Sequence, residues 1–354
     1  MLTGSASCIS DSKWVIWVTK NREQWIDCIK IFACVLVVLG HFLMSMVTGG
    51  LIVRSKLYEW FVETIYYVHV PLFFMCSGYL YQKNGCVNSF TSWKRNIRNR
   101  AVVLGIPYFV FTAATWLLKE WFSGSVNTRN EGFFQTLFLH PEAPYWYLYV
   151  LFVMFAITPT FSGKKQAAAA LLCAIVVKCI QPETAACFEI YVVSQTMKNI
   201  VWFIAGMCLC KFRVLRWQES PGWMLTGGIC AVSFAGLSLI GVGICSGYGF
   251  WSLMMGMLGC AAVVVVSCIV SKARCFRHCI NEMAKYTLPI YLMHTMFAAG
   301  LRAALLKLGI AAPGIHILLG LCATFVGPIM AAEVLQKVKL DFVYQPGKYI
   351  ARKK

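Results

Sequence analysis

Apolar runs of roughly twenty residues recur along this chain from residue 28 to residue 334, and no other feature constrains its fold as much. A helix needs ~20 mostly apolar residues to cross the ~30 Å hydrocarbon core of a bilayer, where every backbone N–H and C=O must be paired internally. The runs are continuous rather than alternating, which argues against a transmembrane β-barrel. Ten spans are expected, near 28–48, 57–81, 101–121, 144–161, 166–181, 190–210, 222–241, 247–270, 285–306 and 311–334. Only 13% of the 354 residues are charged, about half the ~25% of a soluble domain. The expected class is all-α: a polytopic membrane protein of about ten transmembrane helices, multi-pass in the plasma (cytoplasmic) membrane.

The net charge of +18 raises nucleic acid as a partner, but the placement of the charge excludes it. With the N-terminus in the cytosol, alternate connections between spans hold all but eight of the 32 basic residues: Arg54, Lys56, Lys119, Arg129, Lys178, Lys198, Arg302 and Lys307 fall on the outer side. This is the positive-inside asymmetry of a membrane protein, and it predicts an even number of helices with both termini cytosolic. Three segments are expected: a tail at 1–21, one membrane domain at 22–334 and a short basic cytosolic tail at 335–354. The 17 cysteines lie mostly in apolar runs, where Cys acts as a small hydrophobe, so no disulfide framework is predicted. Cys275, His278 and Cys279 lack the partner pair of a zinc site, and no metal is expected.

The polar groups inside the spans carry the chemistry. An ionisable side chain at membrane depth is a functional hypothesis by default. In IDCIKIFACVLVVLGHFLMSMV, residues 26–47, the eleven steps from Lys30 to His41 turn a helix by ~1100°, so both side chains share one face, ~16 Å apart along the axis. Asp27, Cys34 and Ser45 lie close to that face. His69 falls in the second expected span, with Ser77, Gly78 and Tyr79 beyond it, and His294 falls in the ninth. A neutral imidazole is what a general base requires. The run WKRNIRNR supplies Lys94, Arg95, Arg98 and Arg100 at the cytosolic mouth, and guanidinium groups suit phosphate oxygens. Trp146 suits the face of a sugar ring, although an interfacial aromatic belt also explains it.

Five stretches, REQWIDCIKIFACVLVVLGH, HVPLFFMCSGYLY, the basic run into GIPYFVF, APYWYLYVLF and LPIYLMH, resemble the acyltransferase-3 family of integral membrane O-acyltransferases. Among its members, the chain is most similar to the fucose 4-O-acetylase-like branch that acetylates cell-surface polysaccharides. The resemblance covers residues 22 to about 334. It implies a ten-helix domain, an acyl-CoA donor (usually acetyl-CoA) taken from the cytosol, and a carbohydrate or cell-envelope glycan acceptor. It places the first-span histidine on His41 and its basic partner on Lys30, where many members carry arginine. It also points to a basic pair among Arg95, Arg98 and Arg100, a serine–glycine pair at Ser77 and Gly78, and a late-helix histidine at His294.

The expected reaction is O-acyl transfer. Lys94, Arg95, Arg98 and Arg100 dock the CoA phosphates, and the thioester reaches along the Asp27–Lys30–His41 stripe. His41 acts as base or carries the acyl group covalently. His69, Ser77, Gly78, Tyr79, Trp146 and His294 line the acceptor pocket. Two other classes fit buried histidines: a transporter or flippase that relays protons, and a carrier of b-type haem.

Overall fold

The structure is a computed structural model that describes residues 23–122, 131–184, 190–218, 220–241 and 249–352. The expected tail at 1–21 lies outside these residues. In chain order the α-helices are α1 (Gln24–Thr48), α2 (Lys56–Tyr66), α3 (His69–Asn84), α4 (Phe90–Trp121), α5 (Phe133–Phe138), α6 (Trp146–Ile157), α7 (Lys164–Thr184), α8 (Tyr191–Lys211), α9 (Pro221–Ile240), α10 (Gly249–Lys272), α11 (Arg274–Lys307), α12 (Pro313–Lys337) and α13 (Gly347–Arg352). No strand occurs among the described residues.

Seven of these helices, α1, α4, α8, α9, α10, α11 and α12, are long and apolar enough to cross a membrane. On α9 the side chains of Leu225, Ile229, Val232, Leu239 and Ile240 are exposed, as lipid contact requires. The chain is a multi-pass, all-α membrane protein. The other three expected spans fall on shorter or more polar elements. The stretch 57–81 is two helices, α2 and α3, broken at Tyr67 and Val68. Pro71 explains the break: it has no N–H for the carbonyl four residues back, and it is tolerated only in the first turn of a helix, where it sits in α3. The 144–161 stretch gives α6, whose 12 residues rise only ~18 Å. The 166–181 stretch falls on α7, which carries Lys178, only 3% exposed.

Small residues set the closest helix crossing. A Cβ on Gly78 would lie 1.9 Å from the Phe203 carbonyl oxygen, and one on Gly206 would lie 2.0 Å from that of Met75. α3 and α8 therefore meet backbone to backbone, each through its own glycine, as small residues permit in membranes. Trp202, Phe203, Phe74 and Tyr81, on these two helices, are fully buried.

α1 packs against α3, α10 and α11. Along the α11 contact, Cys34 meets Thr287 (Sγ–O 3.4 Å), the His41 and His294 rings lie 5.4 Å apart, and Arg302 bonds Ser45. Both residue numbers rise together, so the two helices run parallel. The basic C-terminal segment at 335–354 begins with the last turn of α12, and its described residues run to 352. Asp341–Val343 form a 3-10 turn, Tyr344 is buried, and α13 follows.

Candidate active site

A cavity of about 590 Å³ opens between α1, α4, α11 and α12. His41 and His294 stand at its deep end, and Thr48, Phe122 and Lys307 at its mouth. From His41 to Thr48 the helix rises ~10 Å. The cavity therefore lies toward the C-terminal end of α1, the side opposite Lys30.

Helix geometry explains the pairing. His41 and Ser45 are four residues apart on one face of α1, as are His294 and Ala298 on α11, and all four line the cavity. His294 is 1% exposed. Its Nδ1 lies 2.9 Å from the carbonyl oxygens of both Ile290 and Tyr291. Carbonyls only accept, so Nδ1 carries the proton and donates. Nε2 then holds a lone pair, and it is buried without a hydrogen-bond partner. This tautomer is the one a proton acceptor needs.

The segment before α6 holds α11 in place. Tyr145 is fully buried, and its hydroxyl donates to the Leu292 carbonyl oxygen at 2.9 Å. That proton being used, Thr115 Oγ1 donates to the Tyr145 oxygen at 2.8 Å. The Tyr291 hydroxyl donates to the Pro144 carbonyl oxygen, and Lys119 pairs with Glu142 at 2.6 Å on the cavity wall. The APYW motif thus clamps the turn of α11 that presents His294. Thr295 also lines the cavity, and its Oγ1 is buried. It sits beside the Tyr145 hydroxyl, yet it has no hydrogen bond of good geometry.

Of the sequence-predicted site residues, His41 and His294 line this cavity, together with Ser45 from the same face of α1. Asp27 is buried and Lys30 half-buried near the start of α1, both within electrostatic reach of Cys76. His69 caps the α2–α3 break, its Nδ1 donating to the Ile65 carbonyl oxygen at 2.8 Å and its ring edge-on to Tyr66. Ser77 lies 3.2 Å from the Tyr147 hydroxyl, Tyr79 packs edge-on against Trp25, and Trp146 packs edge-on against Tyr191. Gly78 serves the α3–α8 crossing. Lys94, Arg95 and Arg98 are exposed, whereas Arg100 lies 4.0 Å from the centre of the Phe155 ring.

The sequence reading missed Lys119, Thr295, Arg302 and Lys307 as lining residues. A signal existed for three of them: Lys119, Arg302 and Lys307 belong to the eight basic residues that the positive-inside pattern leaves on the outer side.

Among known proteins, the nodulation protein NolL of Sinorhizobium fredii is 31% identical over 159 residues, covering 44% of this chain and 40% of that protein. NolL of Mesorhizobium japonicum is 26% identical over 137 residues, covering 39% of this chain and 35% of that protein. The matched stretches span less than half the length of these relatives. No solved structure matches the chain. The acyltransferase domain family matches residues 23–333, a range that includes His41, His294 and the clamp between them. The chain belongs to the acyltransferase-3 family of acyltransferase domains.

Proposed function

We propose that this protein is an O-acetyltransferase of the plasma membrane. It moves an acetyl group from cytosolic acetyl-CoA to a hydroxyl of a cell-surface carbohydrate or its precursor, with both termini in the cytosol. The observation that carries this reading is the His41–His294 pair at the foot of a cavity large enough for part of a glycan.

The acceptor enters the cavity and sets one hydroxyl between the two rings. His41 takes its proton as the oxygen attacks the thioester carbonyl. His294 Nε2, its tautomer fixed from behind, accepts a hydrogen bond from the imidazolium that His41 becomes. Thr295, beside the Tyr145 hydroxyl, supplies a hydroxyl for the developing oxyanion once its side chain turns into the cavity. When the carbon–sulfur bond breaks, the CoA thiolate recovers the proton from His41, leaving ester and CoA–SH.

The donor comes from the Lys30 side, with its phosphates on the exposed Lys94, Arg95 and Arg98. There Cys34 and Thr287 close the α1–α11 contact. The thioester reaches His41 when the two helices part at that level.

The test is acetyl transfer by the purified full chain. Labelled acetyl-CoA should release CoA and label a surface glycan, and His41→Ala should slow both at least about a hundredfold while the protein stays monodisperse. A well-folded His41→Ala variant that retains full transfer refutes the assignment. In cells, deletion should lower surface-glycan O-acetyl content.

A further inference from the structure

Three of the outer basic residues, Lys119, Arg302 and Lys307, line the same cavity, and the acid among its lining residues is Glu142, which is bound to Lys119. Arg302 is the unusual one. It is 7% exposed, and its Nη1 bonds Ser45 through both the carbonyl and the hydroxyl oxygen. Its Nε is buried with no hydrogen-bond partner, and no carboxylate pairs with it among the described residues. A buried cation without a counter-charge is costly. A guanidinium carries five donors, and Ser45 engages one nitrogen. Holding α1 to α11 accounts for Nη1 and leaves Nε without a partner in a residue that lines the cavity. Lys307 is exposed at the mouth and reaches over the Phe122 ring, also without a carboxylate partner among the described residues.

We infer that the acceptor held in this cavity carries an oxyanion that docks on Arg302, with Lys307 guiding it in at the mouth. Arg302 lies ~12 Å along α11 from His294, so the anionic group and the hydroxyl that receives the acyl group sit on different parts of the acceptor. The guanidinium fork fits a carboxylate or a phosphate oxygen pair. Two acceptor features supply that chemistry: the carboxylate of an acidic sugar residue, or the phosphate that joins a glycan to a lipid carrier. This inference rests on the acyl-transfer reading for the word acceptor, while the anion site itself stands apart from it.

The test reads binding and transfer separately. The full chain in nanodiscs of phosphatidylcholine, a lipid of no net charge, is titrated at fixed ionic strength with glucuronate, glucose 1-phosphate and glucose. At least one anionic sugar should bind at least tenfold more tightly than glucose, and which one does so assigns carboxylate or phosphate. Arg302→Gln should remove that preference, a loss on the order of tenfold to a hundredfold for a charge-assisted hydrogen bond, and Arg302→Lys should restore part of it. Should Arg302→Gln not fold, Lys307→Gln, at an exposed site, should lower the affinity for the anion about threefold and leave glucose unchanged. Equal binding of all three sugars, or a preference untouched by the foldable variants, overturns the inference. An anion preference without CoA release from acetyl-CoA sinks the acyl-transfer reading and leaves the anion site standing. Equal transfer to a glycan before and after its carboxylates are reduced and its phosphates removed does the reverse.

Discussion

Replacing His294 by Asn separates its two nitrogens. An Asn side-chain amide can still donate to the Ile290 and Tyr291 carbonyls that His294 Nδ1 now engages at 2.9 Å. It offers nothing at the position of Nε2. The fold around α11 should survive while the unpartnered lone pair disappears. A positioned base contributes about 10²–10⁴-fold, or ~2.7–5.4 kcal/mol at ~1.36 kcal/mol per tenfold. His294→Asn and His41→Ala should each reduce the first-order rate of CoA release by that factor. The rings lie 5.4 Å apart and in the proposed mechanism serve one proton transfer, so their effects should not multiply. The double variant should be about as slow as the worse single one, as for residues that act as a unit, rather than ~10⁴–10⁸-fold down. The assay is CoA thiol release by purified protein of verified monodispersity. His294→Asn at wild-type rate, or a double variant showing the product of the two losses, refutes the coupled pair.

Gly206→Ala should lower the thermal midpoint in detergent, because the new Cβ meets the Met75 carbonyl oxygen at 2.0 Å; overpacking of this kind costs ~1–3 kcal/mol, and Ala at the open Gly228 should not. Tyr145→Phe removes the hydrogen bond to Leu292 and should cost ~0.5–1.5 kcal/mol of stability, together with a drop in kcat as the turn bearing His294 loosens. The Tyr349 hydroxyl, and then Lys348, hold the Asp341 carboxyl below its ordinary 3.8. Its contribution is therefore present at and above about pH 5 and is lost as pH falls through 3.8 and below. Hydrogen exchange of residues 341–350 should speed up in acid relative to Asp341→Asn at the same pH, and an Asp341→Asn protein with the same profile would count against this.

Much of the helical plan could be read from apolar run length, because the bilayer sets the length of a span. The Lys30–His41 face of α1 was legible for a similar reason: a 3.6-residue period fixes which side chains stand together on one helix. Which faces meet is a tertiary matter. His294 stood out as an ionisable group at membrane depth and Arg302 as an outer-side cation, but neither showed that it turns toward α1. His69 looked like His41 in sequence, yet its Nδ1 is committed to the Ile65 carbonyl oxygen at the α2–α3 break. Gly78 sits inside a motif and acts through the backbone of α8, a role that only the distance to Phe203 reveals. The three cations of the cavity were visible as exceptions to the charge asymmetry, without any indication that they converge.

The two histidines are 253 positions apart in sequence, on helices that run side by side in the same direction. A ribosome feeding this chain into the membrane delivers α1 long before α11. Until α11 is inserted, the first imidazole has no second ring opposite it, no Tyr145 clamp closed on Leu292 and no wall for the cavity. The cavity and its facing pair of imidazoles therefore come into being only once α11 has been inserted beside α1.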